Sequence, residues 1–178
     1  MRTYVFVLLC IIFSTGLARA GGVTNIKEVV NRSSQAVRLT TYEDKGDVES
    51  KWKMTGKIAA GTTWHGEMWI PWADNQEQFN HHFLKIEFFR QYPRRNLYHV
   101  NVVTLYQSGE SVRMDPSPDN SYDTPQILEE VNIELPLAGY NSAAALVEGE
   151  SRSGGERRVV FFDKPDGSVG FRFERYSR

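Results

Sequence analysis

The residues best suited to bind or to react crowd into one short stretch. Between Trp64 and Phe83 stand three of the four tryptophans, Trp64, Trp69 and Trp72, and three of the four histidines, His65, His81 and His82. Asp74, Asn75 and Gln76 lie beside Trp72. Flat apolar rings stack on the C–H faces of sugars, while carboxylate and amide groups bond the hydroxyls. The stretch therefore reads as a carbohydrate-binding surface built from Trp64, Trp69, Trp72, Asp74 and Asn75. Trp72 is the residue nearest the polar run. Large aromatics are more often core anchors, and that competing role applies to each tryptophan taken singly.

Three further chemistries use residues of the same region. His65, His82 and His99, joined by Glu67 or Asp74, carry the donor types that zinc or a non-haem metal takes. His81 and His82 are adjacent, so on a strand they point to opposite faces and cannot share an ion. No HExxH spacing supports a metal, and hydrogen-bonded histidines are the plainer expectation. Glu67, Asp74 and Glu77 are the carboxylates nearest the aromatics, and a pair of carboxylates suffices for glycoside hydrolysis. Asp115, Asp119 and Asp123 recur every fourth residue around Pro116 and Pro118. Such an oxygen-rich loop suits calcium, although the spacing is not that of an EF-hand. No G-x-S-x-G elbow, Walker loop or dinucleotide fingerprint is present. The expectation is a protein without catalytic residues and without a cofactor.

Charge narrows the partners. The 178 residues hold 21 basic and 22 acidic side chains, a net charge of −1. This gives no electrostatic case for nucleic acid or for bulk anionic membrane. The distribution is uneven, with seven acidic residues against Arg113 alone from Glu110 to Glu134, and seven basic against four acidic from Arg152 to Arg178. Two solvated segments that partly complement each other are expected. A basic face for a sulfated sugar or an acidic lipid is the sharper alternative. Within the basic segment, Gly154-Gly155 beside Arg157-Arg158 offers backbone amides and cations to an anion, although a solvated loop explains the same composition.

Residues 1–20 read as a secretory signal peptide. Arg2 supplies the positive start, Val5 to Phe13 is an uninterrupted apolar run, and Ala18-Arg19-Ala20 fits a small-x-small cleavage pattern. The apolar run is about half of the roughly 20 residues that a spanning helix needs. Cleavage after Ala20 removes Cys10, so the mature chain has no thiol for a disulfide or a thiolate zinc site. The expected location is extracellular, or periplasmic in a bacterium. Asn31-Arg32-Ser33 forms an N-glycosylation sequon, relevant in a eukaryotic host.

The elements that must position these groups are short alternating strands. Val37, Leu39 and Thr41 alternate with Arg38 and Thr40, and Leu84, Ile86 and Phe88 alternate with Lys85 and Glu87. The second run predicts one apolar and one charged face. Tyr98 to Tyr106 is the longest β-rich run and ends at a Gln107-Ser108-Gly109-Glu110 turn; Val131, Ile133 and Leu135 share another face. Val159 to Phe162, a turn at Lys164-Pro165-Asp166-Gly167, and Val169 to Phe173 predict a β-hairpin, with Pro presetting one turn residue and Gly taking the positive φ. Pro71 bars an unbroken central strand at Trp69–Trp72, which predicts a bulge, an edge or a strand exit there. Residues 115–126 are too Pro-rich for a central strand and read as a surface loop, as do the Gly- and Ser-rich residues 149–156. Residues 141–147 fit either a helical turn or an edge strand.

Seven to nine such strands predict an all-β chain, a single antiparallel β-sandwich domain over residues 21–178, with a small closed β-barrel as the rival. The functional expectation is a secreted binding module for a glycan. A membrane-lipid-binding or pore-forming protein and a metal- or carboxylate-dependent hydrolase are the alternatives, and a protein-binding role for the same aromatics is a fourth.

Overall fold

The computed structural model describes residues 22–43, 51–115, 121–125, 140, 141 and 143–177. The segment read as a leader, the sequence alternation at Val131–Leu135 and Asp119 lie outside the described residues. In chain order the elements are β1 (Thr24–Asn31), β2 (Ala36–Glu43), β3 (Lys51–Met54), β4 (Thr63–Ile70), α1 (Gln76–Phe79), β5 (His82–Gln91), β6 (Leu97–Ser108), β7 (Ser111–Asp115), β8 (Ser121–Pro125), β9 (Ala145–Leu146), β10 (Glu148–Gly149), β11 (Gly155–Asp163) and β12 (Val169–Arg175). They form a five-stranded sheet in the order β10-β12-β11-β1-β4 and a seven-stranded sheet in which β3-β2-β5-β6-β7-β9 run side by side and β8 adds to β6. Neither sheet closes on itself, which removes the barrel alternative. Two open sheets are consistent with a β-sandwich.

The expectation of uniformly antiparallel strands is corrected in the five-stranded sheet, where β1 runs parallel to β11 and β10 parallel to β12. A short turn forces antiparallel pairing only on the two strands it joins. β1 and β11 come from opposite ends of the chain, and β10 and β12 are separated by β11, so no hairpin fixes their direction. The surface-loop expectation for residues 115–126 is corrected in part. Ser121–Pro125 pairs with Leu97–Asn101 of β6, while β7 takes the other half of that edge at Thr104–Ser108. Pro125 is the last residue of β8, where a missing N–H costs no inner ladder bond. Within residues 141–147 an edge strand forms, since Ala145–Leu146 pairs with β7.

The apolar faces meet where alternation predicted. Leu39, Leu84, Ile86, Phe88 and Leu105 of the seven-stranded sheet share one core cluster with Ile26, Val29, Met68, Val159, Phe161 and Phe173 of the five-stranded sheet. Phe88 meets Phe161 edge-on, with centroids 5.7 Å apart. Each large side chain sealed here contributes about 1.5–3 kcal/mol by leaving water. One irregularity tunes the fit. Ile26 faces Arg157 and Met68 while Glu28 faces Arg158 and His65, so Lys27 is an extra residue relative to β11. The resulting turn of the strand lets Ile26 and Val29, three residues apart, both reach the core. The C-terminal hairpin forms as expected, with Gly167 at φ 80° and its N–H donating to Lys164 O at 3.0 Å.

Candidate functional site

The aromatic stretch is the passage by which the chain leaves one sheet for the other. β4 is the edge of the five-stranded sheet, and Pro71 follows its last residue. Gln107 of β6 then takes hold: its N–H donates to Pro71 O at 2.8 Å, and its carbonyl accepts from Ala73 N at 2.9 Å. The fully buried Gln107 side chain ties the sheets together. Its Oε1 accepts from Thr24 N at 3.1 Å and from the Thr24 hydroxyl, and its Nε2 donates to Ile70 O at 2.7 Å. Beyond the crossing, Asn75 Oδ1 accepts from Gln78 N at 2.9 Å and caps α1. That single turn presses Phe79 against Tyr106, edge-on at 4.9 Å.

The five residues expected to bind sugar divide into two roles. Trp64 packs against the main core beneath Gly66, where a Cβ would lie 2.6 Å from its Cη2. It acts as an anchor that only a glycine neighbour accommodates. Asn75 is exposed but holds the cap, and half-buried Asp74 is fixed through its N–H to Gln78 Oε1 at 2.9 Å. Trp69 and Trp72 stay half-buried on either side of Pro71. The Trp69 carbonyl accepts from Thr41 Oγ1 at 2.8 Å, and its Nε1 is buried without a hydrogen-bond partner. Trp72 bridges to Gln107.

The histidines do not converge. His65 lies on the five-stranded sheet, 3.7 Å from Glu28 Oε2. His82 begins β5, whereas His99 lies opposite Arg90 near its far end. Eight strand residues at about 3.3 Å each set those two roughly 26 Å apart. His99 Nδ1 instead meets Asp123 Oδ1 at 3.0 Å, and the Tyr92 hydroxyl donates to the same carboxylate at 3.2 Å. These bonds hold Asp123 below the usual carboxylate range, the His99 contact foremost. No cluster of three or more His, Cys, Asp or Glu with metal-holding geometry occurs among the described residues. Glu67 is ion-paired to Lys27, and Glu77 stands exposed in the first turn of α1. Asp115 ends β7 while Asp123 lies on β8. Asn31 is 1% exposed; its Nδ2 donates to Gln35 O and Ile58 O at 2.8 and 3.0 Å, so the folded chain uses this amide to close a turn.

Three arginines of the basic C-terminal segment are paired within the described residues. Arg158 pairs with Glu28 at 2.5 Å, Arg172 with Glu174 at 2.9 Å and Arg175 with Glu150 at 2.9 Å.

Sequence reasoning missed an ionic cluster on the far face of the seven-stranded sheet. Glu87 is fully buried, and Arg38 donates to it through Nε at 2.6 Å and Nη2 at 2.9 Å. The Tyr122 hydroxyl adds a bond at 2.7 Å, and Lys85 Nζ stands 3.4 Å away. Burial pushes the Glu87 carboxyl up, but the Arg38 bonds and the Lys85 charge overcome it and hold the group low. Burial also lowers the Lys85 ammonium, against the pull of Glu87, and raises the Tyr122 phenol. Thr40, Thr104, Phe89 and Val102 beside the cluster are buried as well. The arrangement suits structural pairing, because its polar atoms already satisfy one another. Alternation predicted a charged face at Lys85 and Glu87 but not that it is covered; in the structure Arg38 stands across the strands from Glu87.

Comparison with protein-family models, with curated proteins and with solved structures finds no match to this chain.

Proposed function

We propose that the protein is an exported, non-enzymatic binding module whose ligand is carbohydrate, taken at the edge formed by Trp69 and Trp72. The supporting observation is the placement of two half-buried indoles on either side of Pro71, at a strand exit pinned by Gln107. Exposed Glu77 follows in the first turn of α1 and supplies a hydroxyl-bonding carboxylate. A platform held by backbone bonds loses little freedom when a sugar ring stacks on it, which favours weak polar ligands. The sequence of residues 1–20 supports export.

The test replaces Trp72 by Ala and compares both proteins on a glycan array, with far-UV circular dichroism as the folding control. Glycan retention by the parent and its loss in a folded Trp72→Ala variant are the expected results. A parent that retains no glycan, or a variant that retains all of it, overturns the reading. Flotation with liposomes and release of an entrapped dye would then favour the lipid-surface alternative.

A further inference from the structure

We infer that the cavity between the start of β1 and the β10–β11 connection is a site for a tetrahedral oxyanion, a phosphate or sulfate ester group on a small ligand. The cavity encloses about 360 Å³ and is lined by Glu150, Arg152, Ser153, Arg157 and Arg175 over a floor of glycines. Three guanidinium groups face one carboxylate there, an excess of two positive charges that balances a phosphate monoester and more than balances the single charge of a sulfate ester.

Arg157 is 6% exposed and is held by carbonyls, with Nε on Glu150 O at 3.3 Å, Nη1 on Glu156 O at 3.0 Å and Nη2 on Arg152 O at 2.8 Å. Carbonyl dipoles fix the group without cancelling its charge, and burial together with the nearby Arg175 presses its pKa down. Arg152 makes no ion pair among the described residues, and Arg175 shares Glu150 at 2.9 Å. Ser153 is 7% exposed, and its Oγ is buried with no hydrogen-bond partner. A buried hydroxyl left unpaired in a basic cavity has the character of a donor awaiting an acceptor. Gly154, at φ 86°, packs against Gly22 so closely that a Cβ would lie 2.8 Å from Gly22 N, so this part of the lining carries no side chain.

Gly154 N donates to Thr24 Oγ1 at 2.9 Å, and Thr24 binds the same Gln107 that bridges to Trp72. The cavity therefore adjoins the crossing that carries the tryptophans. A sulfated sugar and a phosphorylated one are the two sources of this chemistry. The site itself uses none of the tryptophans, so it stands or falls separately from the reading above.

Calorimetric titration of the purified protein with sodium sulfate and sodium phosphate tests the site, at about 20 mM background salt so that exposed arginines are little screened. Sodium chloride of matched ionic strength is the control. Saturable heat with either dianion and none with chloride is expected. Arg152→Ala/Arg175→Ala should weaken binding by about tenfold or more, as loss of charge-assisted bonds does, and Ser153→Ala by severalfold with an unchanged melting temperature. Arg152→Ala alone, which breaks no ion pair, guards against a folding defect in the double variant. Trp72→Ala should bind the inorganic dianions like the parent. Parallel titrations with glucose 6-sulfate and glucose 6-phosphate identify the source by which binds more tightly. Absence of saturable binding in the parent, or parent-like affinity in the double arginine variant, overturns the proposal.

Discussion

Glu87→Gln preserves the shape of the side chain and deletes the negative charge that Arg38, Lys85 and Tyr122 share. Arg38 is 4% exposed and Lys85 4% exposed, so neither cation can turn to water once the carboxylate is gone. Breaking one partner of a buried pair costs about 3–5 kcal/mol. Two features place the loss at the low end. The amide oxygen still accepts one bond from Arg38 or Tyr122, and Lys85 sheds its proton more readily than an ordinary lysine. A loss of about 3 kcal/mol is expected, which lowers the melting temperature by roughly 6–12 °C in a chain of this size.

Urea unfolding followed by tryptophan fluorescence measures the loss, and a thermal melt followed by circular dichroism checks it. A second variant, Arg38→Leu/Lys85→Met/Glu87→Leu, removes all three charges and should recover most of the stability, because apolar residues commonly replace buried pairs without net cost. A Glu87→Gln loss below about 1 kcal/mol would refute the claim that the cluster is cut off from water. A triple variant no more stable than Glu87→Gln would refute the claim that unpaired charge causes the damage.

Gln107→Met should cost about 2–4 kcal/mol, since it leaves the Thr24 N–H and the Ile70 carbonyl unpaired between the sheets. Hydrogen exchange at Thr24 should accelerate in that variant more than exchange in the β11–β12 hairpin. Acid should destabilise the parent in a defined window. The Glu87 carboxyl is held low in the folded chain, so its contribution is complete above the unfolded value of about 4.3 and is lost as pH falls through the folded value. Urea midpoints between roughly pH 3 and 7 should fall on the acid side for the parent and less steeply for Glu87→Gln.

Local patterns made much of the fold legible. Asp163 to Gly167 announces its hairpin because turn chemistry is written in adjacent residues, and Leu84, Ile86 and Phe88 reveal a core face because strand period is local. What lies over the opposite face is not local, which is why the pattern marked Lys85 and Glu87 as a charged face without showing that it is sealed. The direction of β1 beside β11 was hidden for the same reason: no turn joins them. At the candidate site, Pro71 correctly signalled a strand exit. The role of Trp64 was readable only with Gly66 in view, two residues along on the same face and too small to fill its own space. Gln107 gave no signal, because a lone glutamine in a turn-like run looks ordinary until a second sheet arrives to be bound.

The parallel seam between β1 and β11 also sets a timetable. β1 is an inner strand of its sheet, yet its neighbour on one side, the central strand β11, is built from residues 155–163. Synthesis that proceeds from the N-terminus therefore leaves that sheet without its centre until almost every residue has emerged. Such long-range closure is slow, since the connecting loop must be ordered before its contacts reward it.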